Sequence, residues 1–219
     1  MLDETYDAVF TDARGRDTTR IHNDGRELRL SLRGVDFAGA DFDGLSPVGV
    51  PPEQAASLFT LAQGDLCACR LEWTMPLALE RDGNRATGAL RVILVLGDPL
   101  PTGGVADQSL TLELETPAGM IRSSGKSGWF EDELLELAAA LGEGWRIRSC
   151  ITCAFSDYSP YGHGLFGNLA CFRDAKDEYL ASEGKQGLFA IWNRHTDFVQ
   201  ETFLCNEYRA RAPGTGYRG

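Results

Sequence analysis

Hydrophobic and polar residues alternate through much of the first two thirds of the chain. Leu28, Leu30 and Leu32 are separated by Arg29 and Ser31, the period-two signature of a strand with one buried and one wet face. Asn23-Asp24-Gly25 lies between Thr18 to His22 and Arg26 to Leu32. That turn chemistry predicts a hairpin, because Asn, Asp and Gly tolerate positive φ. The longest alternation runs from Leu66 to Glu80. Cys67, Cys69, Leu71, Trp73, Met75, Leu77 and Leu79 share one parity, and Arg70, Glu72, Thr74 and Glu80 the other. Pro76 within it predicts a sheet edge or a bulge. Asp82-Gly83-Asn84 then turns the chain into Ala86 to Leu96, whose near-continuous apolar run predicts a central strand covered on both faces. Leu110, Leu112 and Leu114 predict another half-buried strand, with Gly119 to Ser123 returning antiparallel to it.

Helical periodicity is rarer. Pro52 to Leu58 suits a short helix opening on a proline, and Val35 to Leu45 reads as a loop or strand edge. Trp129 to Leu141 is the one convincing helix, with Phe130, Leu134, Leu137, Ala138 and Leu141 forming an apolar stripe. Ser127 is its candidate N-cap, Glu131, Asp132 and Glu133 suit its first turns, and Gly142 stops it. Beyond it, Trp145 to Cys150 alternates, Arg173 to Ser182 suits a short polar helix or turn, and Leu188 to Trp192 reads as an apolar strand. Phe198 to Tyr208 reads as a last strand carrying Cys205. Together these predict a mainly β (α+β) protein with an antiparallel sandwich-like core and one covering helix. The expected division is a β-rich domain over 1–126, the helix with a cysteine-framed module packed on that domain over 127–208, and a mobile tail over 209–219.

Composition narrows the class. No apolar run approaches the roughly 18–20 residues that span a bilayer, and the acidic start, Met1 to Asp7, lacks the features of a secretory signal. A soluble, cytoplasmic protein without a membrane partner is the expectation. The net charge of −11 comes with no long Lys/Arg cluster, which argues against nucleic acid as the ligand. A protein partner, basic in character, or a small molecule fits better.

Six cysteines carry the candidate chemistry. Cys67 and Cys69 share the buried parity of a strand and read as small core residues. Cys150-x2-Cys153 can set two sulfurs on one ion, and Cys171 and Cys205 can complete a tetrahedral four-cysteine zinc site. His163 or His195 can replace one sulfur, and four thiolates also suit an iron–sulfur cluster. Disulfides and unliganded thiols stay open. A closed Zn(2+) site with four thiolates is structural, since it leaves no position for water. The cysteines enclose Ser156-Asp157-Tyr158-Ser159-Pro160-Tyr161-Gly162-His163-Gly164, a candidate binding loop in which Asp157, Tyr158, Tyr161 and His163 are joined by Glu201. No phosphate loop, zinc-protease helix or nucleophile elbow occurs.

The frame Cys150-Ile-Thr-Cys-Ala-Phe-Ser-Asp-Tyr-Ser-Pro-Tyr-Gly162, with Gly167, Cys171-Phe-Arg173 and Gln200-Glu-Thr-Phe-Leu-Cys205, resembles an uncharacterised bacterial protein family. The resemblance implies that the four cysteines belong together and supplies no activity. The functional expectation is a binding or interaction protein of accessory or immunity type. An enzyme using the Asp157–His163 loop, and a thiol redox or metal-sensing protein, are the alternatives.

Overall fold

In a computed structural model describing residues 3–142 and 144–215, the chain is mainly antiparallel β-sheet with a few short helices. The elements in order are β1 (Glu4–Asp12), β2 (Gly15–Asn23), β3 (Leu28–Leu32), β4 (Val35–Gly39), β5 (Ser46–Val48), α1 (Pro52–Leu58), β6 (Thr60–Ala62), β7 (Asp65–Cys67), β8 (Cys69–Arg81) and β9 (Asn84–Leu96). There follow β10 (Gln108–Thr116), β11 (Gly119–Arg122), α2 (Phe130–Ala140), β12 (Trp145–Ile147), β13 (Ser156–Asp157), β14 (Leu169–Cys171), α3 (Lys176–Leu180), α4 (Gly184–Ala190) and β15 (Asp197–Val199). Where a sandwich-like core was expected, ten strands share one sheet in the order β11-β10-β9-β8-β1-β2-β3-β4-β5, with β12 also on β8. Among the described residues no helix is long and apolar enough to cross a membrane.

The chain divides into two compact units, 1–76 with 88–140 and 77–87 with 141–219, so the division falls across β8 and β9. In the first unit the long alternations became the long strands. The Asn23–Gly25 turn joins β2 to β3, with Asp24 Oδ1 accepting from the N–H groups of Arg26 and Glu27, each at 2.8 Å. The expected single strand from Leu66 is broken at Ala68, whose φ of 49° separates β7 from β8. Cys67 and Cys69 are both buried nonetheless. Pro76 lies past the end of the β1–β8 ladder at Trp73, where its missing N–H costs no hydrogen bond to β1. β9 is central, as expected, but wet on one face at mid-length, because Arg91 is exposed there. On that face Arg70 Nε meets Glu72 (2.8 Å), Arg91 bridges Glu72 (2.5 Å) and Glu113 (3.0 Å), and Arg122 meets Glu113 (3.5 Å). The opposite face is core. Phe42 lies on Trp73 with ring centroids 4.0 Å apart, and Phe130 of α2 approaches both. α2 packs on β10 and β11 within this unit.

The second unit holds the end of the β8–β9 hairpin, where β12 pairs Ile147 with Leu79, and a small sheet ordered β13-β14-β15. Two expectations fail here. The Leu188–Trp192 segment is helical, because it ends α4 and begins a 3₁₀ turn at Trp192–Arg194. The last strand stops at Val199, so Cys205 sits in turns. The apolar spacing of both segments serves a small aromatic core around Phe155, Phe172, Tyr179 and Leu188 instead of a sheet face.

Candidate functional site

Four thiols of the second unit are drawn together by backbone hydrogen bonding. Cys150–Thr152 forms a 3₁₀ turn, and the Cys153 N–H donates to the Cys150 carbonyl at 3.1 Å. One tight turn therefore carries both residues of the C-x2-C pair. The N–H of Cys150 donates to Phe203 O at 2.7 Å and that of Ile151 to Glu201 O at 3.0 Å, laying the segment that leads to Cys205 along this turn. Cys171 ends β14 opposite Ser156 of β13, and Ser156 Oγ–H donates to Cys150 O at 2.5 Å. Residues 209–211, expected as the start of a mobile tail, close the other side. Ala154 N–H donates to Arg209 O (2.7 Å) and Arg211 N–H to Thr152 O (3.0 Å).

All six cysteines are free thiols, and Cys205 alone among them is not buried. Burial pushes the Cys150 thiol well above its ordinary range, and Cys153, Cys171, Cys205 and Glu201 add to the rise. Cys171 is raised by burial too, against the Arg173 N–H and guanidinium, with Cys205 and then Cys153 contributing. Arg173 Nη1 lies 3.7 Å from Cys171 Sγ. The four thiols of the frame thus feel one another. Cys69 is pushed up to about 12, burial being the main cause and Cys67 the next, in a separate place in the first unit. As the side chains stand, no three His, Cys, Asp or Glu among the described residues are placed to hold one metal ion. Four soft thiolates still match the donor set of tetrahedral zinc, and such an ion would have to draw the sulfurs inward. Each candidate imidazole has Nδ1 on a backbone carbonyl: His163 on Gly164 O (2.8 Å) and His195 on Trp192 O (2.6 Å).

The loop residues named from sequence are brought together only in part. Tyr158, His163 and Glu201 meet: the Tyr158 ring stacks on His163 with centroids 4.0 Å apart, and its hydroxyl donates to Glu201 Oε1 at 2.8 Å. Gly167 N–H donates to Glu201 Oε2 at 2.7 Å. Glu201 is fully buried, which raises its carboxyl despite these donors. Asp157 is buried as well but belongs to another group, accepting from Tyr158 N–H (2.9 Å) and from Tyr179 O–H (2.8 Å). Tyr161 turns outward, 85% exposed, against Phe189. Sequence reasoning missed Tyr179, whose hydroxyl is pushed up to about 12, by burial first and then by the Asp157 charge. It missed Arg211 too, which donates from Nη1 to Tyr179 Oη at 3.0 Å and from Nη2 to Ser156 O. Neither carried a local signal: Arg211 lay in what read as a tail, and Tyr179 in a polar helix.

The geometry defines an antiparallel β protein whose C-terminal part carries the cysteine frame and two buried, separately bonded carboxylates, Asp157 and Glu201. The chain belongs to a family of unknown function, DUF6304, whose model matches residues 4–156. No curated protein and no solved structure matches it. The matched stretch takes in Cys150 and Cys153 and ends at Ser156, before Cys171 and Cys205.

Proposed function

We propose that this is a non-enzymatic cytoplasmic binding protein, an accessory or immunity-type factor, whose acidic first unit meets a basic protein partner. In this proposal a structural zinc on Cys150, Cys153, Cys171 and Cys205 clasps the second unit. The observation that carries the partner class is the distribution of charge. The first unit holds 21 of the 32 Asp and Glu but 10 of the 21 Lys and Arg, leaving it at −11, and the second unit, with 11 of each, is neutral. A charge excess confined to one unit favours encounter with oppositely charged partners. The loop supports binding over catalysis, because Asp157, Tyr158 and Glu201 are buried and bonded to protein groups.

Two measurements test this. Fluorescence anisotropy with a panel of Lys/Arg-rich peptides, and acidic peptides of equal length, should show binding to the basic set alone, weakening as NaCl rises. No binding at low ionic strength, or binding indifferent to salt, overturns the partner class. Elemental analysis of the purified chain should find one zinc per molecule. Cys171→Ala should lose metal and stability, whereas Cys67→Ala should keep the metal. Metal-free protein with all four thiols reactive in the folded state overturns the clasp.

A further inference from the structure

A groove of about 920 Å³ opens on the first unit, across β1 to β5. Its shape follows from the strand ladders. β1 pairs with β2 from Glu4–Asn23 to Asp12–Gly15, and β3 with β4 from Leu28–Gly39 to Leu32–Val35, whereas β2 and β3 share the two pairs His22–Arg29 and Asn23–Leu28. Beyond those pairs the strands part, and Thr19 Oγ1–H donates to Ser31 O at 2.8 Å across the gap. Thr18 and Thr19 line the groove from one side of it, Leu30 and Ser31 from the other. Register also places the charges. Arg20 and His22 are two residues apart and share a face of β2, and His22 stands opposite Arg29 of β3. Side chains directly opposite lie about 4.5–5.5 Å apart at Cβ, where like charges repel. Two guanidiniums and an imidazole therefore meet in the groove of a unit that carries a net −11. Asp7 takes Arg20 at Nε (3.2 Å), Glu27 takes Arg29 at Nε (2.6 Å), and Asp3 lies 3.6 Å from His22 Nε2. The three stay open to solvent all the same, with side chains 76%, 62% and 49% exposed for Arg20, Arg29 and His22. A guanidinium has five N–H donors, so each arginine keeps donors beyond those given to its carboxylate.

The rest of the lining narrows the ligand. Small-molecule sites hold roughly 300–1,000 Å³ and are mostly apolar. Here five ionisable and three hydroxyl side chains among fourteen lining residues select a polar molecule. Asp7 of β1 and Asp36 of β4, the latter accepting from Ser31 O–H, stand on either side of the cations. An anion that filled the groove would be repelled by both, whereas hydroxyl groups suit carboxylates, which only accept. Val9, Ala38 and Val48 add small apolar surfaces for C–H groups. We infer that the groove binds a polyol carrying one anionic group, a sugar phosphate or a sugar acid. Arg20, His22 and Arg29 surround the anion, which offsets the repulsion between His22 and Arg29, and Asp7, Ser31 and Asp36 bond the hydroxyls. This site is independent of the basic partner proposed for the first unit.

The test is calorimetric titration of the full chain at pH 7 with glucose 6-phosphate, glucuronate, glucose and inorganic phosphate. At least one of the two anionic sugars should bind about tenfold more tightly than glucose or inorganic phosphate, and the one that does identifies the anion. Arg20→Ala and Arg29→Ala, with circular dichroism unchanged because both side chains are exposed, should each weaken that binding roughly tenfold, the loss expected for a charge-assisted hydrogen bond. Arg122→Ala, which removes an exposed arginine of the same sheet outside the groove, should leave it unchanged. No binding of either anionic sugar at 10 mM, or binding indifferent to both Arg20→Ala and Arg29→Ala, overturns the inference. Inorganic phosphate bound as tightly as glucose 6-phosphate overturns the polyol, and glucose bound as tightly as the anionic sugars overturns the anion.

Discussion

Arg33 occupies a backbone position that few side chains accept, with φ of 49° followed by Gly34 at 77°, in the turn between β3 and β4. Its guanidinium compensates. It forks onto Asp12 with both contacts at 2.8 Å, reaches Asp17 (2.7 Å) and Leu58 O (3.1 Å), and lies over the Phe10 and Phe59 rings. The Asp12 carboxyl is held below its ordinary value by the Arg33 hydrogen bonds, against burial and with help from the Arg14 N–H. A depressed folded pKa gives stability that is complete above the unfolded value, about 3.9, and lost as pH falls through the folded one. Arg33→Ala strips the guanidinium fork from Asp12 and leaves its carboxylate only the Arg14 and Gly15 N–H groups, so it should cost roughly 1.5–3 kcal/mol in urea unfolding at pH 7. Arg33→Lys should recover little, because an ammonium cannot fork. The variant should also lose the Asp12 contribution to the acid limb below pH 4. An unchanged urea midpoint in Arg33→Ala would show that the clamp is surface decoration.

At the scale of one element, α2 shows how two neighbouring carboxylates take different parts. Glu133 is buried, and its oxygens accept from Gly125 N–H (2.8 Å), Ser127 N–H (2.9 Å) and Ser127 O–H (2.7 Å), tying down the approach to the helix. Burial pushes its carboxyl up, and the hydrogen bonds from Ser123, Ser127 and Gly125 outweigh it, so the net direction is down. Its contribution is therefore present above the unfolded carboxylate value and lost as pH falls through the folded one. Glu133→Ala should destabilise by about 2–3 kcal/mol in thermal or urea unfolding. Asp132→Ala, on the exposed side, should cost less than about 1 kcal/mol. Equal effects would mean that Glu133 acts only through the helix dipole. The stripe of Phe130, Leu134 and Leu137 was legible because burial recurs at helical spacing. Glu133 lies three residues past Phe130 on that same face, and this offset was the available signal for its burial. The long strands were legible for the corresponding reason, a period of two held over many residues. After Cys171 the elements are three to seven residues long, too short for a period to declare itself, and long-range hydrogen bonds such as Cys150 N–H to Phe203 O decide their form. The tight turn carrying Cys150 and Cys153 was legible from their spacing, whereas the exposure of Cys205 and the pinning by Arg211 depend on segments distant in sequence.

For the whole molecule the decisive quantity is the excess of carboxylates in the first unit. Two like charges 10 Å apart in water repel by about 0.4 kcal/mol, and physiological salt, with a Debye length of about 8 Å, removes most of that. The Glu72–Arg91–Glu113 ladder works in the opposite sense, because salt weakens it, but exposed pairs contribute only about 0–1 kcal/mol each. Eleven surplus charges against a few such pairs place the balance on the side of repulsion. The urea midpoint should therefore rise between 10 mM and 500 mM NaCl with the m-value unchanged. The gain should appear as increased amide protection in β1 to β4, and not in β13 to β15 of the neutral unit. A midpoint that falls with salt means that the ladder dominates, and equal gains in both units mean that the ion acts through general solvation. A basic ligand relieves the same repulsion that salt screens, so the two should compete. A Lys/Arg-rich peptide should raise the midpoint most at low salt and contribute least at 500 mM, by the linkage between binding and stability.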